Sequence, residues 1–214
     1  MPSPHDDEKE AAAEAALSLI RSGMQVGLGT GTTVDHLLPL LPGHARDVTY
    51  VASSPRTEES ARTLGLTLHP FEKRERLDLT IDGADQVSPA RWLVKGGGGA
   101  HTREKILAAA AERFVVIVSA DKLVDELRPP IPLELLAFGL AATLRALTPT
   151  ALRPVPRSPD GGLIADYQGP IDDPGVLAAR LSSAPGVIEH GLFPPDLVTE
   201  ILVARRTKIE KLAL

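Results

Sequence analysis

The chain has 214 residues, a formal net charge of −5 and no cysteine, with 43% apolar and 24% charged residues. This is the composition of a folded globular protein, and it excludes disulfides, cysteine-based metal centres and long disordered tails. The acidic balance argues against non-specific binding to nucleic acid, and every apolar run is shorter than the roughly 18 residues that cross a membrane. The first residues, Met1 to Asp7, lack the basic start of a secretory signal, so we expect a cytoplasmic location.

The first 130 residues alternate predicted helices and strands. The predicted helices cover residues 6–21, 34–41, 57–64 and 102–113. The predicted strands cover residues 25–28, 48–52, 77–82 and 114–118, with a short extended piece at 91–94. Asp6 or Asp7 is expected to cap the first helix, and Thr57 the helix at 57–64. This alternation predicts an α/β fold with a Rossmann-like, mostly parallel sheet.

The pattern changes after a proline-rich segment at residues 128–132. From residue 133 to residue 190 the predicted order is strand, helix, strand, strand, helix, strand, which is typical of a ferredoxin-like fold. An apolar stretch at 197–203 is expected to return to the first sheet. The sequence thus predicts a Rossmann-like domain at 1–130, with a returning segment at 197–214, and a smaller ferredoxin-like α+β domain at 131–196.

A glycine- and threonine-rich loop, Gly29 to Thr33, follows the first strand and opens a helix. Backbone N–H groups at a helix start favour an anion, and the hydroxyl groups add donors. Two interpretations of Thr30 to Thr33 follow: a phosphate or carboxylate site, or a tight turn capped by threonines. The loop lacks the Gly-Lys-Ser/Thr ending of a P-loop, which argues against nucleotide hydrolysis, and the last glycine of a dinucleotide fingerprint, which argues against a dinucleotide site.

Two aspartates, Asp82 and Asp85, come at the end of the strand at 77–82. In an open parallel sheet, ligands bind at the carboxyl edge of the strands. The two carboxylates could hydrogen-bond sugar hydroxyls, move a proton or hold Mg²⁺. The alternative is a turn in which both side chains bond to their own backbone.

Lys95 precedes four consecutive glycines, Gly96 to Gly99. Such a run costs conformational entropy on folding, and its place between an apolar strand and an apolar helix argues against a linker. It favours a backbone that lies against a ligand. Glu104, in the first turn of the next helix, would face the same site or only offset the helix dipole. Lys122 follows the strand at 114–118, at the same carboxyl edge.

Three segments together resemble ribose-5-phosphate isomerase, type A: Gly27–Thr33, Asp82–Asp85 and Lys95–Lys105. The resemblance continues at residues 130–136 and, more weakly, at 186–193, so it covers nearly the whole chain. It implies interconversion of ribose 5-phosphate and ribulose 5-phosphate, in the non-oxidative branch of the pentose phosphate pathway. It also implies a small phosphosugar substrate, no metal or cofactor, and a homodimer or homotetramer.

The resemblance further implies roles for individual residues. Glu104 would move a proton between C2 and C1 through an enediolate, Lys95 would stabilise the charge, and Asp82 would assist ring opening or carry a hydroxyl proton. These three are the implied catalytic residues. The implied substrate-binding residues are Thr30, Gly31, Thr32, Thr33, Asp82, Gly83, Ala84, Asp85, Lys95, Gly96, Gly97, Gly98 and Lys122.

The sequence departs from the family pattern at three places. Gln86 stands where a glutamate is usual, the turn Ser158–Gly162 replaces an Asp-Asn-Gly-Asn-like turn, and residues 204–207 lack the usual Gly-Thr-x-x-Gly-like ending. Two other functions stay open. A non-catalytic sugar-phosphate sensor would not need Glu104 and Lys95, and an acyl-CoA transferase-like enzyme would need a nucleophilic glutamate and a longer chain.

Overall fold

The structure is a computed structural model that describes residues 5–72 and 74–212, so Met1 to Pro4 of the N-terminal segment lie outside the described residues. The α-helices are α1 (Asp6–Leu17), α2 (Thr32–Leu37), α3 (Pro55–Thr63), α4 (His101–Ala110), α5 (Leu140–Ala146) and α6 (Pro174–Ser183). The strands are β1 (Gln25–Leu28), β2 (Thr49–Ala52), β3 (Leu79–Asp82), β4 (Gln86–Val87), β5 (Leu93–Val94), β6 (Phe114–Ser119), β7 (Ile131–Leu135), β8 (Thr150–Leu152), β9 (Leu163–Tyr167), β10 (Val187–His190), β11 (Leu192–Phe193), β12 (Glu200–Arg205) and β13 (Lys208–Leu212). Short 3₁₀ turns lie at Leu38–Leu40, Ala120–Lys122 and Pro195–Leu197.

The chain forms two compact units. The first contains residues 1–84, 103–122 and 196–214, and the second contains residues 85–102 and 123–195. This division differs from the predicted one mainly at residues 85–102. Those residues form β4 and β5, which pair with each other and with β11 in a small antiparallel sheet of the second unit.

The first unit is built on a six-stranded sheet in the order β13-β12-β6-β3-β1-β2. All neighbouring strands are parallel except β13, which runs antiparallel to β12. The predicted Rossmann-like, mostly parallel sheet is confirmed, and the predicted returning segment forms β12. Because β2 and β3 lie on opposite sides of β1, the direction of the crossovers reverses between β1 and β3. In open α/β sheets, the carboxyl ends of the strands at such a switch point form the ligand crevice.

The chemistry of each segment explains its place in this unit. Strand β6 is buried along its whole length, which suits its unbroken apolar sequence. On α1, Ala12, Ala13 and Ala16 are fully buried, since small side chains let the helix pack closely on the sheet.

Two predicted helix caps are wrong. His5 precedes α1, and Asp6 and Asp7 lie in its first turn, where they offset the helix dipole instead of capping the helix. Helix α3 is capped by Ser54, whose Oγ accepts the Thr57 N–H at 3.1 Å. The chain enters this helix earlier than predicted because Pro55 suits a first helical position.

The second unit has the predicted ferredoxin-like architecture. Its main sheet is antiparallel, in the order β10-β7-β9-β8, with α5 connecting β7 to β8 and α6 connecting β9 to β10. Its core includes Leu133, Leu135, Ala165 and Leu181, all fully buried. In the part of the chain that the structure describes, no helix is both long enough and apolar enough to cross a membrane.

Candidate active site

Asp82, which ends β3, is fully buried beside the loop that follows β1. Its Oδ1 accepts hydrogen bonds from the backbone N–H groups of Gly83, at 2.7 Å, and Thr30, at 3.1 Å. A Cβ atom added to Gly29 would lie 1.8 Å from the Asp82 Cγ, so only glycine fits at that position. Because β1 and β3 border the switch point of the sheet, this aspartate and the loop lie where such folds bind ligands.

The hydroxyl of Thr30 is used inside the protein to hold the loop. Its Oγ1 donates to Ser54 Oγ at 2.7 Å, Ser54 Oγ donates to Thr57 Oγ1 at 3.1 Å, and Thr57 Oγ1 donates to the Gly29 carbonyl at 2.9 Å. This chain of hydroxyl groups starts and ends in the loop and therefore fixes its conformation. Of the two middle members, Thr57 was predicted only as a helix cap and Ser54 was not predicted, although a Ser-Pro pair at a helix start is a recognisable signal.

The remaining threonines of the loop differ in exposure. Thr33 is buried and Thr32 is exposed, in the first turn of α2. Gly31, which precedes this helix, has a φ of +129°, a conformation that favours glycine. The loop thus offers the exposed Thr32 and its backbone to a ligand, while Thr30 faces inward.

Glu104 lies in the first turn of α4, and it is only 4% exposed. Burial of a carboxylate is costly unless polar groups surround it, so such groups are uncommon in a purely structural helix start. The direction in which α4 runs relative to β3 determines at which edge of the sheet Glu104 lies.

Contacts between α4 and β3 show that the helix runs antiparallel to the strand. Leu77, just before β3, forms a bridge with Ala111, just after α4. Three residues further along the chain, Thr80 Oγ1 donates to the Leu107 carbonyl at 3.0 Å. As the residue number rises along the strand, the number of its contact on the helix falls. Two residues further on, the aspartate that ends β3 and the glutamate in the first turn of α4 come to the same level, at the carboxyl edge.

Lys122 is on the same edge of the six-stranded sheet. It ends the 3₁₀ turn that directly follows β6, and β6 pairs with β3 so that Val116 lies opposite Asp82. The Lys122 Nζ lies 3.3 Å from Asp121 Oδ2, and its side chain is partly exposed. The first unit therefore carries the Thr30–Thr33 loop, Asp82, Glu104 and Lys122 at one edge of its sheet.

In the second unit, Lys95 directly follows β5 and is almost fully buried. Its Nζ lies 5.5 Å from the centroid of the Phe193 ring, within the range of a cation–π interaction. Its backbone N–H donates to the Gly191 carbonyl at 2.8 Å. Next to it, Gly96 has a φ of +103°, and a Cβ there would lie 2.7 Å from the His101 Nδ1. The start of the glycine run therefore requires glycine for both conformation and space.

Gly97 and Gly98 are the exposed part of the glycine run. The Gly97 N–H donates to Asp85 Oδ2 at 2.8 Å. The family resemblance implies that Asp85 binds the substrate, and in the structure one of its oxygens also holds the loop.

Arg153 binds the same glycine loop by donating hydrogen bonds to two of the loop's carbonyl groups. Its Nη1 donates to the carbonyl oxygens of Gly96, at 3.1 Å, and Gly97, at 2.8 Å. Its Nε and Nη2 donate to the two carboxylate oxygens of Asp166, at 3.0 and 2.5 Å. Neither residue was predicted from the sequence, because their contact depends on the pairing of β8 with β9 and no local pattern signals it.

Glu134 is a buried carboxylate on β7 that supports the start of α4. It accepts hydrogen bonds from the hydroxyls of Thr102, in the first turn of α4, and Ser158. Gly162 has no room for a side chain, because a Cβ there would lie 2.2 Å from Glu134 Oε1. The turn Ser158–Gly162, which departs from the family pattern, therefore packs on the carboxylate that holds the beginning of the helix carrying Glu104.

One group of described side chains has the spacing of metal ligands. One ligand atom each of His5, Glu8 and Asp121 lies within 4.8 Å of the others. The two Glu8 oxygens accept the N–H groups of Ala120, at 3.2 Å, and Arg206, at 2.9 Å. The group is therefore explained by hydrogen bonds that join α1 to its neighbours.

Comparison with known proteins connects this arrangement to one family. The sequence model for the family described as Ribose 5-phosphate isomerase A (phosphoriboisomerase A) matches residues 49–208. A ribose-5-phosphate isomerase A of Rhodopseudomonas palustris (strain BisB18) is 45% identical over 208 residues, which cover 88% of this chain and 90% of the relative.

Two solved structures agree with the present fold. The ribose 5-phosphate isomerase A from Methanocaldococcus jannaschii has a TM-score of 0.91 at 30% identity, covering 98% of this chain and 100% of that one. A D-ribose-5-phosphate isomerase in complex with phospho-erythronic acid has a TM-score of 0.91 at 32% identity, covering 98% of this chain and 99% of that one.

Proposed function

The chain belongs to the ribose 5-phosphate isomerase A family, and on that premise we propose that Glu104 is the base of its proton-transfer reaction. The reaction interconverts D-ribose 5-phosphate and D-ribulose 5-phosphate, an aldose–ketose isomerisation in the non-oxidative branch of the pentose phosphate pathway. The observation that carries the assignment is the place of Glu104, buried in the first turn of α4 and level with Asp82 at the carboxyl edge of the sheet.

The isomerisation moves one proton between carbons and one between oxygens. In the open-chain aldose, C1 is an aldehyde carbon, and C2 carries a hydrogen and a hydroxyl group. When Glu104 takes the proton from C2, the electron pair forms a C1–C2 double bond and the aldehyde oxygen gains the negative charge of an enediolate. Return of the proton to C1 and transfer of the hydroxyl proton from O2 to O1 give the ketose. A carboxylate suits this task because it can accept and return the same proton.

Asp82 and Lys95 complete the proposed catalytic set. Asp82, held rigidly by two backbone N–H groups, carries the proton between the oxygens or assists ring opening. Lys95 supplies a positive charge where the enediolate develops, together with the N–H groups of the glycine run. Donors that are fixed before the reaction stabilise such a charge without reorganising.

The remaining predicted residues form the proposed substrate-binding set. Asp85 orients the sugar while it holds the glycine run, and Gly83 and Ala84 keep the backbone beside Asp82. The Thr30–Thr33 loop and Lys122 contact the phosphate or the terminal hydroxyl. One relative's structure is a complex with phospho-erythronic acid, a phosphorylated sugar acid, which supports a small phosphosugar as the substrate.

We propose that the protein acts as a homodimer or homotetramer in the cytoplasm. Several exposed large apolar side chains of the second unit support self-association, among them Phe138, which is 92% exposed. A phosphorylated sugar does not cross a bilayer unaided, because its charge is costly to place in hydrocarbon, so the enzyme is expected where its substrate is made.

The substitution Glu104→Gln tests the base directly. It nearly keeps the shape of the side chain and removes its ability to take a proton, so kcat for ribose 5-phosphate should fall by at least ~10²-fold while KM changes little. Glu112→Gln is the matched control, because Glu112 lies just beyond the other end of α4. Turnover of the Glu104 variant close to that of the control would contradict the assignment.

Two further measurements separate this proposal from its alternatives. The wild-type protein should form a ketose from ribose 5-phosphate, whereas a sugar-phosphate sensor or an acyl-CoA transferase-like enzyme would form none. Protein treated with EDTA should keep its activity. Loss of activity that Mg²⁺ restores would instead assign Asp82 and Asp85 to a metal site.

A further inference from the structure

We infer that Arg153, held by Asp166, is a positioning residue that fixes the peptide planes of the glycine run for the isomerase reaction. The inference rests on the proposed function of that run as the donor of N–H groups to the reacting oxygens. Arg153 does not act on the substrate itself, and its effect passes through the backbone of Gly96 to Gly98.

The guanidinium group of Arg153 contacts Asp166 on one side and the glycine run on the other. One edge, formed by Nε and Nη2, is occupied by the Asp166 carboxylate as a two-pronged ion pair. The remaining nitrogen, Nη1, donates to two successive carbonyl oxygens of the glycine run, at 3.1 and 2.8 Å. Both charged side chains are 17% exposed, so they are held largely inside the second unit. A planar guanidinium can make this set of contacts at once, whereas an ammonium group cannot.

Because a peptide group is planar, these contacts to carbonyl oxygens also fix the directions of the N–H groups in the same planes. In a trans peptide, the C=O and N–H bonds of one plane point in opposite directions. The Gly96 carbonyl points to Arg153, and the N–H of the same plane, that of Gly97, points to Asp85. This plane is therefore held from both sides. The Gly97 carbonyl also points to Arg153, so the Gly98 N–H of that plane points away from the guanidinium.

Glycine makes this support necessary. The Gly96 carbonyl also accepts the Gly99 N–H at 3.0 Å, so the plane between Gly97 and Gly98 is the one that depends most on Arg153. Such a glycine plane can rotate at little cost, because glycine populates both signs of φ. A flipped plane would present a carbonyl oxygen where the enediolate needs a donor, and the repulsion would replace a stabilising hydrogen bond. Arg153 attracts both carbonyl oxygens to one side, so it disfavours the flip. Asp166 in turn fixes the guanidinium.

The test compares Arg153→Lys and Arg153→Ala with Arg145→Lys, a control on an exposed position of α5 in the same unit. We expect kcat of both Arg153 variants to fall ~10–100-fold, less than for loss of the base, while the control keeps its rate. Guanidinium ion, added far below denaturing concentrations, should restore part of the activity of Arg153→Ala and none of the activity of Glu104→Gln. The activity is expressed per folded protein, with the folded fraction measured in the same samples, so that rescue of the reaction is separated from recovery of folding.

A direct readout follows the backbone itself. In protein labelled with ¹⁵N-glycine, addition of phospho-erythronic acid should shift the amide signal of Gly98 strongly in the wild type and weakly in Arg153→Lys. Wild-type turnover, measured alongside, tests the proposed function separately. The inference is overturned if the wild type isomerises ribose 5-phosphate and the folded Arg153 variants do so at the same kcat and KM. It is equally overturned if their losses match the unfolded fraction and guanidinium restores nothing.

Discussion

The position of Asp82 in the candidate site depends on the absence of a side chain at Gly29. The Asp82 carboxyl group occupies the space that a Cβ on Gly29 would fill, and the same carboxylate accepts the Thr30 N–H from the loop. The loop Gly29 to Thr33 was interpreted either as an anion site or as a tight turn. In the structure Gly29 lies against a side chain that the family resemblance assigns to catalysis.

This contact makes Gly29→Ala a sensitive test of the loop. The added methyl group would overlap the Asp82 carboxyl group, so the aspartate or the loop must move, at a cost of about 1–3 kcal/mol in the free energy of unfolding. A catalytic group displaced by about 1 Å can lose ~10²-fold in rate, so kcat should fall ~10-fold or more. Kinetics with ribose 5-phosphate and thermal unfolding would measure both effects.

The control for the stability measurement is Gly83→Ala. A Cβ at Gly83 would meet its nearest heavy atom, the Ile117 carbonyl oxygen, at 3.8 Å, which is an ordinary contact. Gly83→Ala should therefore change the melting temperature less than Gly29→Ala does. Equal stability of the wild type and Gly29→Ala, with equal kcat, would show that the loop can relax around an added methyl group.

Site residues that stand in a recognisable local motif could be predicted from the sequence, and those that reach the site through strand pairing could not. Lys95 stands next to four glycines, and Asp82 ends an apolar strand, so both are visible in the sequence. Arg153 lies more than fifty positions after the glycines it holds, and only the pairing of β8 with β9 brings it beside Asp166. Long-range register of this kind cannot be derived from a single sequence by periodicity.

At the scale of elements, helix α1 is fixed to the first unit through one carboxylate. Glu8 accepts the N–H of Arg206, in the turn between β12 and β13, and the N–H of Ala120, after β6. The hydrogen bond from Arg206 is the main reason why the pKa of Glu8 lies below its ordinary value of 4.5, with burial acting in the opposite direction. The sequence predicts the helix from its alanine content but gives no sign of these anchors.

The lowered pKa of Glu8 predicts a specific dependence of stability on pH. Because the folded state favours the charged carboxylate, its contribution is fully present above the unfolded-state pKa and is lost as the pH falls through the folded-state pKa. Glu8→Gln should therefore lower the free energy of unfolding by about 1 kcal/mol at pH 7. The difference from the wild type should shrink on acidification, which denaturant unfolding at several pH values would measure.

Glu14→Gln provides the control for the effect of Glu8, since Glu14 is exposed on the same helix. Its free energy of unfolding should follow that of the wild type at every pH. His5 Nδ1 lies 3.2 Å from Glu8 Oε2, so Glu8→Gln also removes this contact, whereas Glu14→Gln keeps it. A gap between wild type and Glu8→Gln that stays constant from pH 7 to below the pKa would contradict the assigned role of the charge.

For the whole molecule, the order of elements was predictable and the assignment of segments to units was harder. Alternation of strands and helices predicts the parallel sheet, and the βαββαβ order predicts the second unit, because both follow from local periodicity and chirality rules. Residues 85–102 belong to the second unit through the pairing of β5 with β11, almost a hundred residues away. The hairpin strand β13 was also not predicted, since its exposed residues lack an apolar pattern.

The proposed self-association is testable through the apolar surface of the second unit. Strand β10 is an edge of the main sheet, and three exposed apolar side chains lie on or near it and its neighbour β7: Leu136, Phe138 and Ile188. An exposed edge with apolar side chains is suited to pairing with a second copy of the chain. Phe138 is the largest of the three and the most exposed, so it should contribute most to such an interface.

Phe138→Asp should weaken the assembly at least ~30-fold, because loss of a central aromatic contact costs about 2 kcal/mol or more and the new charge must be desolvated. Light scattering coupled to size-exclusion chromatography, over a range of concentrations, would measure the shift towards monomer. Val155→Asp is the comparison, because Val155 is 48% exposed just beyond β8, the opposite edge of the same sheet. Dissociation by Val155→Asp alone would place the interface at that other edge, and a wild-type protein that stays monomeric at high concentration would refute self-association altogether.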